Sequence, residues 1–189
     1  MRVVAGSARG IPLKAPKGDT VRPTVDRLKE TLFNIIQNEI YDRVILDVFA
    51  GSGALGIEAL SRGASQAHFC EKNRAAMAVI EENLQKTRLT DKAITYFGDF
   101  SLGFQKMQMN GSKADLIFLD PPYHQTDLYQ QAIELMLDKN ILAAGALIVA
   151  EAKSDFDFSF LENYDTIKIE KHKRFKTNQY VFGRYQNEK

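Results

Sequence analysis

Four short segments of the chain carry residue types that could do chemistry. The first, Asp47-Val48-Phe49-Ala50-Gly51-Ser52-Gly53-Ala54-Leu55-Gly56, is a glycine-rich turn leading into a helix. Gly51 and Gly53 permit a tight turn and let a ligand approach the backbone where a Cβ would block it. The second is Glu71, twenty residues beyond Gly51, a distance at which a carboxylate can accept hydrogen bonds from both hydroxyls of a ribose. The third is Gly98-Asp99, and the fourth is Asp120-Pro121-Pro122-Tyr123. Two successive prolines fix two φ angles and remove two donors, so that backbone is rigid and the Asp120 and Pro121 carbonyls are left to accept. A carboxylate, carbonyl acceptors and then an aromatic ring suit a planar base with an exocyclic NH2. The acceptors would hold the two N–H hydrogens while Tyr123 stacks on the ring.

The spacing Gly51-x-Gly53-x-x-Gly56 followed by Glu71 also satisfies the dinucleotide-binding fingerprint, which keeps a nicotinamide enzyme open. Asp47 argues against it: a carboxylate at the end of the preceding strand, directed into the cleft, suits an ammonium group and would repel a pyrophosphate. The remaining candidates default to structure. Cys70 ends an apolar run and reads as a small core residue. His124 follows the proline loop without a partner at triad spacing. His68 and His172 carry no signal, and Met107 and Met109 fit a core or helix end. One cysteine and three scattered histidines give no metal-ligand cluster, so no metal is expected.

These residues need elements to position them, and the pattern supplies them. Apolar runs at Val44–Phe49, Ala67–Cys70, Ala93–Phe97, Leu116–Leu119 and Ala146–Ala150 alternate with helical segments at Ala54–Arg62, Arg74–Thr87, Leu102–Met109 and Leu128–Asp138. Continuous apolar strands separated by helices predict an α/β fold with a parallel sheet covered on both faces. In such sheets ligands bind beyond the carboxyl ends of the strands, which is where all four segments fall. Thr166–Glu170 and Tyr180–Tyr185 alternate like a final antiparallel pair, with Lys171–Lys176 as a basic turn between them. At the other end, Arg2–Ala5 and Ile11–Lys14 flank Gly6–Gly10 as a short hairpin. Thr24 is placed as the N-cap of an amphipathic helix of roughly four turns carrying Leu28, Leu32, Ile35, Ile36 and Ile40. The Gly/Pro/Lys-rich stretch Gly10–Pro23 sets the one plausible boundary, between a basic N-terminal hairpin extension (1–23) and the main domain (24–189).

The chain has 189 residues, 44% hydrophobic and 26% charged, which suits one globular domain and excludes disordered, collagen-like and disulfide-scaffold classes. Its longest nearly apolar run, Ile141–Ala150, is too short to span a bilayer, and the start lacks an apolar targeting segment, so a soluble cytoplasmic protein is expected. Net charge is +1, but unevenly spread. Residues 1–29 carry seven Lys/Arg against two Asp/Glu, and residues 168–176 five against one, leaving −9 in 30–167. An acidic body with basic ends suits a polyanion that touches the ends. The basic residues singled out for nucleic acid are Arg9, Lys14, Arg22, Lys173 and Arg174.

Taken together, these residues resemble the class I S-adenosylmethionine-dependent methyltransferases, and among them the RsmD family, which methylates the N2 amine of one guanine in small-subunit ribosomal RNA. The resemblance covers nearly the whole chain. It rests on Gly6 with Arg9-Gly10, Arg22-Pro23-Thr24, the run Asp26 to Asn34, Asp47 to Gly56, and Leu119 to Tyr123. Phe175-Lys176 departs from the aromatic-Gly pair usual in that family's last hairpin. The resemblance implies a Rossmann-like, seven-stranded, mostly parallel sheet with helices on both faces, plus a small N-terminal hairpin and helix. It implies S-adenosylmethionine as cofactor, with Asp47, Gly51, Ser52 and Gly53 at its methionine part, Glu71 at the ribose, Asp99 at the adenine amine, and Asn34 with Phe33 bordering the methionine end. It implies that Asp120 and the Pro121 carbonyl receive the target amine, with Pro122 and Tyr123 completing the catalytic loop. The implied partner is small-subunit ribosomal RNA, in a partly assembled subunit, with no membrane and no DNA, acted on by a monomer. An adenine-N6 or cytosine-N4 methyltransferase and a non-catalytic RNA-binding assembly protein remain as alternatives.

Overall fold

The computed structural model describes residues 1–16, 23–122 and 124–186. The helices are α1 (Pro23–Ile35), α2 (Ala54–Ser61), α3 (Arg74–Thr87), α4 (Phe100–Met109) and α5 (Asp127–Asp138). The strands are β1 (Val44–Asp47), β2 (Gln66–Glu71), β3 (Ala93–Phe97), β4 (Ala114–Leu119), β5 (Leu142–Lys153), β6 (Ile167–Arg174) and β7 (Asn178–Tyr185). They form one seven-stranded sheet in the order β3-β2-β1-β4-β5-β7-β6. The first five strands are parallel, while β7 runs antiparallel to both β5 and β6.

The apolar runs are continuous because the sheet is buried on both faces. Ile45, Phe69, Leu116, Phe118, Leu147 and Val149 enter one core with the N-terminal hairpin, α1, α2 and α3. Their neighbours Leu46, Cys70, Ile117, Leu119, Ile148 and Ala150 enter the other, with α4 and α5. Successive residues thus alternate between two cores rather than between core and water. Among the described residues no helix is long and apolar enough to cross a membrane.

Several predicted boundaries shift. β1 ends at Asp47 rather than Phe49; Val48 N–H still bonds the Phe118 carbonyl of β4 (3.2 Å), and the chain then turns over so that Ala50 N–H bonds the Cys70 carbonyl of β2 (3.0 Å). α1 stops at Ile35, and a short 3-10 turn, Gln37–Glu39, carries the chain to Ile40. It begins at Pro23, a residue suited to a first helical position, so the predicted cap Thr24 falls inside it. The basic segment Lys171–Arg174 is strand, not turn: β6 runs to Arg174 and pairs with β7 as far as Arg174–Gln179. β6 is an edge strand with exposed side chains from Lys168 onward, where charge guards an open edge and apolar alternation is not required. The N-terminal hairpin forms with a single antiparallel bridge, Arg2–Pro12, and buries Val3, Ala8 and Leu13 in the same core as α1.

Candidate active site

The order of the strands reverses between β1 and β4, which opens a crevice at their carboxyl ends. A cleft of about 380 Å³ lies there, lined by Gly51, Glu71, Lys72, Asp99, Asp120, Pro121 and Pro122 among others. Three chemistry-bearing segments from three different strand ends, together with the glycine loop, therefore meet on one cavity.

The glycine loop is built from below. Asp47 is only 3% exposed, and its Oδ2 accepts the Gly56 N–H at 3.1 Å, tying the end of β1 to the first turn of α2. Burial pushes this carboxyl up to about 7; the Gly56 N–H opposes the shift and nearby Glu71 adds to it. Asp47 is not among the residues lining the cleft, so the structure shows it supporting the loop from beneath. Gly51 has φ +55°, and a Cβ there would meet nothing closer than the Phe49 carbonyl at 4.0 Å, leaving the loop open for a ligand to approach. Gly56 has a different purpose: a Cβ would lie 2.3 Å from the Phe69 ring, so its role is to let α2 pack on β2. The Ser52 carbonyl accepts from Asn83 Nδ2 (2.9 Å).

At the end of β2, Glu71 Oε2 accepts from Gly51 N–H (2.8 Å) and Oε1 from Asn73 N–H (2.7 Å). A carboxylate oxygen can accept more than one bond, so Glu71 both braces the glycine loop and retains acceptor capacity toward the cleft. Asp99 caps α4, its Oδ1 accepting from Ser101 N–H at 3.0 Å, while also lining the cavity. Asp120 follows β4. Burial holds its carboxyl well above the usual carboxylate range, and the neighbouring Glu151 and Asp47 carboxyls raise it further. Pro121 is buried and Pro122 exposed, and the Pro122 carbonyl is taken by Gln125 N–H (2.8 Å) in the following turn. Tyr123 lies outside the described residues.

Two expected site residues lie elsewhere. Asn34 is exposed near the end of α1 and is not among the cleft residues, and its neighbour Phe33 is fully buried against Phe118 with a 5.8 Å centroid separation. Phe33 is therefore core. Of the basic residues, Arg9 is exposed and lines a second cavity of about 460 Å³ with Arg2, Arg27 and Glu30, between the hairpin and α1. Lys14 instead donates to Glu82 Oε2 (2.6 Å) on α3. Lys173 and Arg174 are exposed at the carboxyl end of β6, and register places Lys173, Tyr180 and Glu151 in one row across three strands, at the level of the cleft. Arg22 lies outside the described residues.

Sequence reasoning missed three polar residues that hold the site together. Glu58, fully buried in α2, accepts from Val4 N–H (2.8 Å) and Ala5 N–H (3.0 Å) of the hairpin and from Arg62 Nε (2.9 Å), and pairs with Lys29 of α1. Asn83 binds the Lys14 backbone through both its amide atoms while also holding Ser52. Glu151, one residue past the apolar run of β5, stands beside Asp120. The signal for Glu58 and Asn83 was a polar residue on the apolar stripe of a helix; for Glu151 it was the strand-end position that singled out Glu71, Asp99 and Asp120.

A sheet of this order, with a glycine loop after its first strand and an Asp-Pro-Pro turn after its fourth, defines a class I methyltransferase. The chain belongs to the family described as Conserved hypothetical protein 95, whose model matches residues 1–184. It is 39% identical over 168 residues to the Ribosomal RNA small subunit methyltransferase D of Haemophilus influenzae, spanning 89% of this chain and 86% of that protein. It is 38% identical over 153 residues to the Escherichia coli K12 protein of the same name, spanning 81% and 75%. Among solved structures, the proposed methyltransferase yhhF of Escherichia coli superposes with a TM-score of 0.83 at 31% identity, covering 100% of this chain and 99% of that one. The resemblance to the RsmD family read from the sequence is thereby confirmed.

Proposed function

We propose that this protein transfers a methyl group from S-adenosylmethionine to the exocyclic N2 of a guanine in small-subunit ribosomal RNA, within a partly assembled subunit. The observation that carries the reading is the single cleft on which Glu71, Asp99 and Asp120 converge. Relatives named as small-subunit ribosomal RNA methyltransferases support the choice of RNA. The open cradle at Gly51 and the remaining acceptor capacity of Glu71 fit a nucleoside cofactor.

Gly51, Ser52 and Gly53 would hold the methionine part by their backbone, Glu71 the ribose hydroxyls and Asp99 the adenine amine, while Asp47 keeps the loop in shape. The cofactor supplies an electrophilic methyl group on a sulfonium. A guanine N2 lone pair is delocalised into the ring, so the amine must be turned out of plane before it can attack. Asp120 and the Pro121 carbonyl, on a backbone stiffened by two prolines, accept its two N–H hydrogens and favour both that geometry and the positive charge that develops on nitrogen. Asp120 then takes the departing proton, a role for which a half-buried carboxyl of raised basicity is suited. No covalent intermediate is required. Cys70, whose thiol is pushed up by burial, stays an inert core residue.

The anionic body of the protein needs cationic contacts for RNA. Arg9, with Arg2 and Arg27 around the second cavity, and Lys173 with Arg174 at the end of β6, would provide them. Calorimetric titration with S-adenosylmethionine, followed by labelled methyl transfer to small-subunit RNA, tests the reading. Binding without transfer to any RNA would reduce it to a cofactor-binding protein.

A further inference from the structure

Asp120 has a neighbour that the proposed reaction does not yet use. Leu119 of β4 pairs with Ala150 of β5, so the next residues, Asp120 and Glu151, leave adjacent parallel strands side by side. Strand alternation puts both on the face that Leu116, Phe118, Leu147 and Val149 define, the face shared by Ile45 and hence by Asp47. Glu151 is held from the other side. Its Oε1 accepts from Asn178 Nδ2 at 2.9 Å, and Tyr180, its register partner on β7, hydrogen-bonds its carboxyl. The Tyr129 hydroxyl of α5 donates to its backbone carbonyl.

Asn178 is 3% exposed, and its Oδ1 has no hydrogen-bond partner among the described residues. A buried amide with one atom unsatisfied is costly, and a plain apolar residue would fill that place without the penalty. What Asn178 contributes is a donor aimed at Glu151. Burial raises the Glu151 carboxyl above its ordinary value, and the two donors, Asn178 and Tyr180, oppose that shift in favour of the ionised form.

We propose that Glu151 is a positioning residue for the methyl transfer: held by Asn178 and Tyr180, its carboxylate stands beside Asp120 and keeps Asp120 able to take the proton of the target amine. The inference rests on the reading that Asp120 receives that amine. In the balanced step the N–C bond forms as the C–S bond breaks with its electron pair left on sulfur, and the nitrogen proton passes to Asp120 and then to water. Glu151 contributes negative charge and undergoes no bond change. The other titratable groups around the pair are Asp47 on β1, Tyr180 on β7 with Lys173 of β6 beyond it in the same row, and Tyr129 on α5, with Glu71, Lys72, Asp99 and Cys70 around the cleft; α1 presents Phe33 to this face. Of the groups that act on Asp120, both Glu151 and Asp47 raise its proton affinity.

The test has two independent readouts. In the ligand-free protein, carbon-detected carboxyl titration should show the Asp120 midpoint falling by about one pH unit or more in Glu151→Gln, as expected when a like charge is removed from contact range. In methyl transfer, the same variant should move the acid limb of the rate profile to lower pH, because Asp120 then protonates later as pH falls. Its plateau rate should drop on the order of tenfold, because Asp120 has become a weaker base. Glu151→Asp, which keeps the charge, should restore most of both. Tyr180→Phe removes one hydroxyl and little else, and should raise the Glu151 midpoint. An unchanged Asp120 midpoint in Glu151→Gln, or a rate loss with an unmoved acid limb, would overturn the proposal. A shifted midpoint in a protein that methylates no RNA would uphold the carboxyl pair and overturn its role in transfer.

Discussion

Lys29 Nζ lies 3.1 Å from Glu58 Oε2, with the two side chains 3% and 0% exposed, and the same ammonium donates to the Arg2 carbonyl at 2.6 Å. This pair fastens α1 to α2 and, through the Glu58 bonds to Val4 and Ala5, fastens the hairpin to both. Removing one partner of a buried pair strands the other charge away from water, which typically costs about 3–5 kcal/mol. Glu58→Gln, which strands Lys29, should destabilise by that order in urea unfolding, and Lys29→Met by less, because Glu58 keeps its pair with Arg62. The double variant should lose clearly less than the sum, since neither charge is then stranded. Additive losses would show that the two groups are not coupled.

Asp47 makes stability depend on pH in a defined direction. Its folded carboxyl titrates near 7 against an ordinary value of 3.8, so between those values the folded state holds a proton that the unfolded state has released. The stabilising contribution is complete below about 3.8 and is lost as pH rises through about 7. Asp47→Asn should remove that loss and make the ligand-free protein more stable at pH 8 than the wild type, by up to about 4 kcal/mol at roughly 1.4 kcal/mol per unit. Thermal melts from pH 5 to 8 check this, and parallel curves for the two proteins would refute it.

Glu71 braces the glycine loop and faces the cleft, so its loss should be felt by the cofactor more than by the fold. Hydrogen bonds to a charged acceptor contribute roughly 1.5–3 kcal/mol. Glu71→Ala should therefore weaken S-adenosylmethionine binding by at least about 10- to 150-fold. Glu71→Gln, which keeps one acceptor oxygen for Gly51 N–H, should fall in between. Unchanged affinity in calorimetry would remove Glu71 from the ribose contact.

The pattern of apolar runs was enough to bring Glu71, Asp99 and Asp120 to one end of the sheet, because each stands at or within two residues of the carboxyl end of a strand. Glu151 obeys the same rule but hides in a strand that continues to Lys153, three residues beyond its apolar run, so the position reads as an ordinary strand end. Glu58 and Asn83 were illegible for another reason: each sits in a helix where a polar residue on the buried stripe makes sense only once the hairpin backbone is seen to need acceptors and donors there. The edge strand β6 was cut short at Glu170 because charged residues on an open edge carry no apolar alternation. Asn34 was carried to the methionine end by the family resemblance with its neighbour Phe33, and the helix turns the two apart, Phe33 into the core and Asn34 to water.

Lys14 and Arg9 looked equivalent in the sequence, and the structure separates them. Lys14 is engaged by Glu82, whereas Arg9 shares a cavity with Arg2 and Arg27. Arg9→Gln with Arg27→Gln should weaken RNA binding and lower its salt slope by about 0.7 per lost phosphate contact on single strands. S-adenosylmethionine affinity should not change. Lys14→Gln should have a smaller effect on both affinity and slope. Equal effects of the two sets, or none, would mean that these charges serve only solubility.

Asp120 is proposed to receive the N2 amine of a guanine, and the identity of the methylated nucleoside tests that role most directly. The wild-type protein, given labelled S-adenosylmethionine and small-subunit RNA or particles lacking the modification, should deposit label that digestion and chromatography recover as N2-methylguanosine. Asp120→Ala should lower that yield on the order of a hundredfold or more while cofactor binding persists, and Asp120→Asn, which keeps an acceptor oxygen, should retain part of it. Label recovered in an adenine-N6 or cytosine-N4 product, or full turnover by Asp120→Ala, would contradict it.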